Sequence, residues 1–418
     1  MEDPLARTVR LEGARILATL VRTVGDLGIA EDAVQEATIT AMREWPVSGV
    51  PESPRAWLTV VARRKATDLV RREGLRGRKE REATQLLDQT APEPPEPVGA
   101  VGSDDQLRLI FVCCHPTLAP EARVALALRT LCGLEVPEVA AALLTSEAAM
   151  AKRLTRSRQK IKQAGIRYRV PAEAELPARL AAVCGVLHGL YTAGHTRLDG
   201  ATLLDVDLCD EAVRLARLLR DLLPGRPGPE ALLALLLLTE ARRPARIDPD
   251  GAPVLLAAQD RGRWDRAAID EGLHLLATSL ERTEGQADPY QLQAAIAAVH
   301  ALAPTAEATD WPEIVRLYDL LISVQPASTP AALGRAVAVA EAYGAPAGLA
   351  ALDALDAQAP DPHDHRRTAI RAELLARTGR LAEAAATMRR SLDGPLPDPE
   401  RAHRLRRVAE WETAEDRP

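Results

Sequence analysis

The sequence predicts an all-α protein, on the evidence of its composition and of the spacing of its apolar residues. Hydrophobic residues make up 47% of the 418 positions, yet aromatic residues make up only 3% and include a single Phe. Alanine and leucine supply most of the apolar surface, and both favour helices. From residue 178 onward, proline and glycine divide the chain into Ala/Leu-rich segments without the alternation of a strand. A chain of this length holds about two to four domains.

Charge is distributed unevenly along the chain, although the formal net charge of −6 hides this. Residues 1–170 contain 26 Lys and Arg against 22 Asp and Glu, a net charge of +4. Residues 171–418 contain 27 against 37, a net charge of −10. The asymmetry indicates nucleic acid as the partner of the first part, and protein contacts or self-masking for the second.

Residues 5–82 form the first predicted domain. Glycines separate two early helices, and a proline-containing loop precedes a long third helix. The predicted elements are a helix over 5–24, glycines at 25 and 28, a helix over about 30–43, a loop with Trp45-Pro46 and Pro51–Pro54, and a helix over about 55–72.

Residues 83–103 separate this domain from the next. They contain APEPPEPVGAVGSD, a composition that cannot pack a core and predicts an extended, flexible linker. A second helical domain is predicted over 104–169, and Pro171 and Pro177 mark its far boundary.

Residues 178–395 predict a large helical domain. Two Ala-rich amphipathic helices, each preceded by a glycine turn, start at Gly344 and Gly379. The starts are 35 residues apart, close to the tetratricopeptide period of about 34 residues. Tetratricopeptide-like repeats are therefore predicted over 290–395, whereas the type of helical structure over 178–290 stays open.

The segment 134–162, LEVPEVAAALLTSEAAMAKRLTRSRQKIK, has the pattern of a helix–turn–helix whose second helix opens at Thr145-Ser146-Glu147. Small residues there let the backbone approach base edges, while Glu147 suits either a cytosine amino group or the helix N-terminus. A solvated basic face is the alternative, but the combination favours DNA binding. The cations behind this end are Lys152, Arg153, Arg156, Arg158, Lys160 and Lys162.

The segment 29–42, IAEDAVQEATITAM, predicts a helix with two distinct faces. Val34, Ala37 and Ala41 form an apolar stripe. The opposite side suits docking onto a basic helix of another protein, and a plain solvated face explains it almost as well. That side carries Asp32, Gln35, Glu36 and Ile39.

The helix predicted over 54–72, PRAWLTVVARRKATDLVRR, is strongly basic on its exposed side. Arg64–Asp68 and Asp68–Arg72 have the spacing of i,i+4 ion pairs. Phosphate contact beside opened DNA would fit, with Trp45, Trp57 or a pocket holding a base. Both tryptophans can instead belong to the core, an interpretation favoured for Trp57. The exposed cations are Arg63, Arg64, Lys65, Arg71 and Arg72.

Three motifs in this order resemble the RNA polymerase sigma factors of the sigma-70 family, extracytoplasmic-function type, over about 10–169. DLGIAEDAVQEA (26–37) resembles the helix that binds core polymerase. PRAWLTVVARRKATDLVRR resembles the −10 element helix, and LEVPEVAAALLTSEAAMAKRLTRSRQKI the −35 helix–turn–helix. Residues 178–395 resemble the subgroup with a long tetratricopeptide-like extension, in DLCDEAVRLARLL (207–219), LLALLLLTEARRPAR (232–246), QDRGRWDRAAIDEG (259–272) and AELLARTGRLAEAA (372–385).

The resemblance implies a role for each matching residue, and it implies that 83–103 threads along polymerase. The residues expected to dock on the clamp helices of the largest subunit of core RNA polymerase are Asp32, Gln35 and Glu36. The residues expected to hold −10 phosphates and the displaced strand are Arg63, Arg64, Lys65, Arg71 and Arg72. The residues expected to read −35 bases are Ser146, Glu147 and Ala149, backed by Lys152, Arg153, Arg156 and Arg158.

The sequence thus predicts a sigma factor that directs core RNA polymerase to −10 and −35 promoter elements. Its acidic C-terminal domain is expected to regulate it in cis, either by shielding the DNA-binding face or by holding the sigma domains in a competent arrangement. A protein partner or ligand of that domain is left open. One departure from many relatives is Leu144, which stands where they have a glycine in the turn.

Two other kinds of protein would explain part of this sequence. A helix–turn–helix repressor or activator with a ligand-sensing helical domain would use the same second helix, but has no use for the helices over 26–72. A helical-repeat adaptor leaves the basic first 169 residues unexplained.

An enzyme is not predicted, and no cofactor is expected. His188 and His195, followed by Asp199, Asp205 and Asp207, are the one candidate site, but the acids could equally cap helices, and Gly189 and Gly194 argue against a continuous helix there. The five cysteines lack CxxC spacing and predict buried reduced thiols rather than zinc ligands. No signal peptide or membrane-spanning run is visible, which predicts a cytoplasmic protein with no membrane partner.

Overall fold

A computed structural model of the chain describes residues 4–81, 103–143, 145–166, 168–197, 200–249, 251–285, 287–361 and 364–415. Over these residues the secondary structure is helical, apart from one isolated antiparallel bridge between Ile247 and Pro253. The predicted all-α fold is therefore confirmed. The chain divides into two compact units, Met1–Leu190 and Tyr191–Pro418.

The first unit begins with three helices that pack on one another, α1 (Pro4–Val24), α2 (Leu27–Ser48) and α3 (Pro54–Arg81). Gly25 ends α1 with a positive φ of 74°, and the Asp26 carboxylate caps α2 by accepting from the amides of Gly28 and Ile29. The buried side of α2 is built of alanines, and small side chains of α3 face it. Small side chains let the helix backbones approach closely, which fixes which face of each helix remains exposed.

The prediction of a loop at Trp45-Pro46 was wrong, because both residues lie inside α2. Pro46 lies in the last turn, where the missing N–H removes a single helical hydrogen bond. The indole of Trp45 is buried, 5% exposed, and this packing outweighs the local preference of proline. The third helix is also longer than predicted and continues to Arg81.

Four further helices complete the described part of the sigma-like segment, α4 (Ser103–Cys113), α5 (Pro120–Thr130), α6 (Val136–Ala142) and α7 (Glu147–Gln163). Phe111, the only Phe of the chain, lies in α4 and is fully buried. The predicted linker lies almost wholly outside the described residues, as does Leu144. The predicted domain limits at 5–82, 83–103, 104–169 and 178–395 stay predictions.

Helix α8 (Leu176–His195) is continuous through both of its interior glycines, so the prediction that Gly189 and Gly194 interrupt it was wrong. At Gly194 a Cβ would lie 3.0 Å from Asp205 O and from the backbone and sulfur of Cys209. Glycine is present there because neighbouring backbone approaches closely, and not because the helix breaks.

The second unit contains ten helices with described bounds. Successive helices from α12 onward pack against their neighbours in the chain, and three apolar clusters are each formed by three successive helices. This is how helical repeats bury their core. The helices are α9 (Val206–Leu222), α10 (Pro227–Glu240), α11 (Arg266–Glu281), α12 (Pro289–Leu302), α13 (Trp311–Val324), α14 (Thr329–Tyr343), α15 (Ala345–Gln358), α16 (His365–Arg377), α17 (Leu381–Arg390) and α18 (Asp398–Glu415).

Candidate nucleic-acid interface

The face of α2 opposite its alanine stripe is exposed and polar. Asp32 and Gln35 are exposed, Glu36 is half-buried, and Ile39 retains 42% of its surface accessible. The side chains that the sequence groups together therefore do lie on one accessible side of the helix. Such a face offers carboxylates, an amide and one apolar contact to a partner.

The exposed face of α3 carries the predicted cations. Leu58, Ala62 and Ala66 are buried, and this orientation leaves Arg63 and Arg64 exposed. Arg71 and Arg72 are likewise exposed. The two ion pairs predicted with Asp68 are not formed among the described residues, since exposed i,i+4 pairs gain about 0.3–0.5 kcal/mol and are easily replaced by water.

The remaining cation of α3 has a partner on α2. Lys65 Nζ lies 3.4 Å from Glu36 Oε2, and both side chains are about 40% exposed. The pair joins one residue of the predicted polymerase-binding set to one of the predicted −10 set. At this exposure it contributes little to stability.

The tryptophans flanking α3 lie edge to face, with ring centroids 5.6 Å apart. Trp45 is buried, so its ring is closed to a base, and Trp57 is half-buried against it. An open groove of about 600 Å³ lies instead beside the start of α3, and Ser53, Arg63 and Arg64 line it. The sequence analysis offers either a tryptophan or a pocket to hold a displaced base, and this groove lies where such a pocket is expected.

The second helix of the helix–turn–helix is capped as predicted. The Ser146 hydroxyl accepts from the Ala149 amide at 3.3 Å, and Ser146, Glu147 and Ala149 are all exposed. Met150, Leu154 and Ile161 anchor the inner side. This leaves Lys152 and Arg156 exposed and Arg153 half-exposed. Six of the seven predicted −35 residues thus line the outer side of α7.

Arg158, the seventh, is directed toward α2 instead. Its Nε lies 2.5 Å from Glu31 Oε2, and the Glu31 side chain is only 10% exposed. The Thr130 hydroxyl donates to the other Glu31 oxygen at 2.8 Å. No sequence pattern indicates this contact, because Arg158 and Glu31 are far apart in the chain and each fits a solvated helix face.

A second cation of α7 makes a parallel contact. Lys162 Nζ lies 3.1 Å from Asp26 Oδ2, the carboxylate that caps α2. Burial alone would raise the pKa of Asp26, but the Ile29 amide, Lys162 and the Gly28 amide together lower it. The C-terminal half of α7 is therefore held against the first turn of α2.

Two more contacts join α1 to the start of α4. Arg22 Nε lies 3.0 Å from Asp105 Oδ2, a carboxylate whose side chain is 7% exposed. The Tyr168 hydroxyl lies 2.9 Å from Ala18 O and 2.6 Å from Asp105 O, and burial raises the pKa of Tyr168. These contacts and the two ion pairs of α7 are called here the docking contacts.

The candidate histidine site does not gather its acids as ligands. The Asp205 carboxylate caps α9 by accepting from the Leu208 amide at 3.1 Å, as the helix-capping alternative states. Asp199 lies outside the described residues. Among the described residues, no group of three or more His, Cys, Asp and Glu is placed to hold a metal ion.

All five cysteines are buried free thiols, as predicted. Burial raises the pKa of Cys113, and it raises the pKa of Cys114 to about 12. Such thiols are poor nucleophiles. Across the described helices, none combines the length and the apolar character that crossing a bilayer requires.

The exposed faces of α2, α3 and α7 lie in two segments that match known protein families. The Sigma-70 region 2 family matches residues 8–76, which contain α2 and most of α3. The Sigma-70 region 4 family matches residues 108–161, which contain the helix–turn–helix. A family of unknown function (DUF6596) matches residues 179–280.

Individual relatives cover the chain to different extents. An uncharacterized protein of Rhizobium meliloti (strain 1021) is 40% identical over 378 residues, which is 90% of this chain and 88% of that protein. The probable ECF RNA polymerase sigma factor SigI of Mycobacterium tuberculosis is 31% identical over 180 residues, which is 42% of this chain and 61% of SigI. ECF RNA polymerase sigma factor SigG of that organism is 31% identical over 35% of this chain and 44% of its own length.

Among solved structures, yeast Tom70 aligns over 98% of this chain and 84% of its own, with a TM-score of 0.37 and 10% identity. The two sigma-70 regions occur in the predicted order, and both lie within the stretch that carries the likeness to named ECF sigma factors. The chain therefore belongs to the sigma-70 family of RNA polymerase sigma factors, in its extracytoplasmic-function (ECF) subfamily, and directs the initiation of transcription, with a helical extension beyond region 4.

Proposed function

We propose that the exposed faces of α2, α3 and α7 divide the work of this sigma factor. Asp32, Gln35 and Glu36 dock on the clamp helices of the largest polymerase subunit. The cations of α3 hold the phosphates of the −10 element, with a displaced base in the groove beside Arg63. The outer side of α7, from Ser146 to Arg156, reads the −35 element.

The observation that supports this division most is the exposure of cations without internal partners. Arg63, Arg64, Lys152 and Arg153 form no ion pair with a described residue, although carboxylates are plentiful in this unit. Cations of this kind can release counterions when they meet phosphates, which is the main source of affinity for DNA.

The docking contacts have to open for both promoter elements to be bound together. The −10 and −35 elements are about 25 base pairs apart, or roughly 85 Å along B-form DNA. Helix α3 packs on α2, and α7 is ion-paired to α2, so the two basic faces are far closer than that. The predicted linker 83–103 can reach about 70 Å when fully extended, enough to allow most of the separation.

Opening also releases Arg158 from Glu31. Once the pair is broken, Arg158 can reach phosphate beside Arg153 and Arg156. The arrangement in which α7 is docked on α2 is therefore a form that precedes promoter binding. The free energy of these docking contacts is subtracted from the free energy of binding to promoter DNA.

We also propose that the acidic C-terminal region regulates the sigma regions in cis, through its own partner or ligand. The net charge of −10 supports an electrostatic effect on DNA binding. Because a sigma factor works where the core polymerase and the chromosome are, we place the protein in the cytoplasm.

Run-off transcription with purified core polymerase tests the division of roles. Asp32→Asn combined with Gln35→Ala is expected to weaken core binding, whereas Glu44→Gln, an exposed change elsewhere on α2, leaves it unchanged. Equal core binding by both variants would contradict the role of this face.

Regulation in cis is tested by comparing the full-length protein with a chain ending at His195 at one promoter. Equal amounts of run-off transcript from the two proteins would contradict regulation in cis.

A further inference from the structure

Many arginines of the C-terminal unit form ion pairs with carboxylates, and Arg242 and Arg246 are two half-buried arginines that do not. Arg242 and Arg246 follow α10, and neither forms an ion pair with a described carboxylate. Arg246 donates one hydrogen bond, to the backbone oxygen of His195 at 3.3 Å. Glu240 acts on Arg246 at longer range, but it already accepts from the Tyr191 hydroxyl at 2.8 Å and pairs with Arg243 at 2.9 Å.

A cavity of about 250 Å³ lies beside Arg246. Half of its lining is apolar, and the polar half is mostly basic, with His195, Arg197, Arg246 and His403 and one carboxylate, Glu400. Arg197 is paired with Asp205 at 3.5 Å, which leaves Arg246 as the lining arginine without an ion pair to a described residue. That carboxylate already accepts from Arg404 at 2.5 Å, so it is not a free counter-charge for the cavity.

The walls of this cavity are held in place by backbone contacts. The Arg246 carbonyl accepts from the Val254 amide at 2.8 Å, next to the Ile247–Pro253 bridge. The Asp398 amide at the start of α18 donates to Gly200 O at 2.9 Å. The cavity is thus formed by segments that the rest of the unit positions.

An imidazole nitrogen at this cavity has no partner. His195 Nε2 is buried without a hydrogen bond to any described group, although its ring is stacked on Tyr191 with centroids 5.2 Å apart. Tyr191 is in turn fixed by its bond to Glu240. A buried polar nitrogen without a partner is costly, and it identifies a place where a ligand atom can bind.

The electrostatic environment is strongly positive. Burial, Arg246 and Arg242 lower the pKa of His195 to about 3. Burial and Arg246 lower the pKa of Arg242 to about 10. Cations that are buried together repel each other, and an anion between them would remove this repulsion.

We propose that this cavity is a binding site for a small anion, a carboxylate or a phosphate, held between the Arg246 guanidinium and His195 Nε2. The volume lies below the 300–1,000 Å³ typical of sites for drug-sized ligands, so the ligand is a small metabolite or inorganic phosphate. Arg246 offers a two-pronged donor, and His195 donates from Nε2 either as the neutral tautomer with its proton there or as the imidazolium, which takes its proton from solvent and which the bound anion stabilises. His195 and Arg246 lie within residues 179–280, which match the family of unknown function, whereas Glu400 and His403 lie beyond that match. The proposed site does not depend on the roles proposed for α2, α3 and α7.

Calorimetric titration of the full-length protein tests this site. Sodium phosphate and sodium succinate are titrated separately, with chloride keeping the ionic strength constant. Saturable binding of one anion and not the other identifies its class, and both results support the site. Absence of saturable heat with both anions would overturn the proposal.

Variants then locate the binding. Arg246→Gln should weaken it about tenfold or more, because it removes the charge and the paired donors. Arg366→Gln, which makes the same change at an exposed position on α16, should leave the affinity unchanged. Unaltered binding by Arg246→Gln would also overturn the proposal.

Stability provides an independent measure. Arg246→Gln should unfold close to the wild-type temperature in chloride, because Arg246 has only one hydrogen bond, of 3.3 Å, and no ion pair with a described residue to lose. In saturating phosphate the wild type alone should gain melting temperature. Equal gains in the two proteins would contradict the site, even if one of them binds too weakly for calorimetry.

Discussion

The two compact units of this chain differ in what their most informative arginines contact. In the N-terminal unit, Arg63, Arg64 and Arg153 extend from α3 and α7 without an ion pair to a described residue. In the C-terminal unit, arginines join neighbouring helices: Arg217 bonds Glu271, Arg371 bonds Asp353 and Asp356, and Arg407 bonds Glu373. Under the proposed function, the partners of a cation therefore matter more for DNA binding than the number of cations in the unit.

Each unit also contains exceptions that define its particular properties. Arg158 and Lys162 of the N-terminal unit are paired, and they hold α7 against α2. Arg242 and Arg246 of the C-terminal unit are unpaired with described carboxylates, and Arg246 lines a cavity. The comparison is therefore best tested by three kinds of variant: one that removes a buried arginine of the C-terminal unit, one that removes an unpaired cation of α7, and one that breaks the ion pair of Arg158.

The largest effect is expected from a buried arginine that serves only the fold. Arg261 donates to His300 O at 2.6 Å, to Ala303 O at 2.8 Å and to the Thr309 hydroxyl, and its guanidinium lies 4.6 Å from the centre of the Trp264 ring. Arg261→Ala should lower the free energy of unfolding by about 3 kcal/mol, since each acceptor is left unsatisfied. Urea titration followed by far-UV circular dichroism measures the change.

The matched control for this variant is Arg366→Ala, an exposed arginine of the same unit whose loss should cost under about 0.5 kcal/mol. Similar costs for the two variants would show that a buried, hydrogen-bonded arginine and an exposed one contribute alike to stability, and would contradict the structural role of arginine in this unit.

The next effect follows from two buried histidines of the C-terminal unit. Burial, Arg246 and Arg242 lower the pKa of His195 to about 3, and burial, Arg242 and Arg261 lower that of His300 to about 4, against 6.5 in the unfolded chain. The unfolded chain then binds more protons, so the stability is fully present above pH 6.5 and is lost as pH falls toward the folded values.

Between pH 6.5 and pH 5.5 the loss should be about 1 kcal/mol for each histidine. Urea titrations at these two pH values, in chloride buffers without phosphate, measure it. His195→Gln should reduce this loss by about 1 kcal/mol. A wild-type stability that does not change over this interval would show that these rings do not titrate as their surroundings imply.

The fold and much of the interface could be predicted from the sequence because the information there is local. The spacing of alanines in α2 and α3 determines which side is buried, and the Ser146 cap follows from its position before a helical pattern. These features place Asp32, Arg63 and Lys152 on exposed faces without any knowledge of the tertiary structure.

What could not be predicted depends on contacts between distant segments. The pairing of Arg158 with Glu31 requires α7 and α2 to meet, which no spacing along the chain encodes. The buried position of Trp45 kept α2 helical through Pro46, against a local signal that favours a turn. The cavity beside Arg246 needs segments from three parts of the C-terminal unit.

A smaller effect is expected from an unpaired cation of α7. Arg153→Ala should weaken binding of the polymerase holoenzyme to promoter DNA several-fold, and should reduce the slope of log affinity against log salt by about 0.9. Filter binding at several salt concentrations measures both quantities. Arg406→Ala, an exposed arginine of α18, is the control. A slope unchanged by Arg153→Ala would mean that this side chain does not contact phosphate.

The smallest effect concerns the docking contacts. It compares a largely buried ion pair, Glu31–Arg158, with an exposed one of the same unit, Glu36–Lys65. Glu31→Gln keeps an acceptor for the Thr130 hydroxyl but removes the charge that holds Arg158. Docking should weaken by about 1 kcal/mol, so the backbone amides of α7 should exchange with solvent up to about fivefold faster in the free protein.

Glu36→Gln is the matched control for this change, because it removes the exposed pair with Lys65 and touches no residue of α7. It should leave hydrogen exchange in α7 unaltered, since pairs of this exposure contribute little. If Glu31→Gln also left α7 unaltered, the ion pair with Arg158 would not hold the helix, and the apolar side of α7 would account for docking alone. Faster exchange in α7 from Glu31→Gln only would show that a carboxylate with 10% of its surface exposed controls when Arg158 becomes available to DNA.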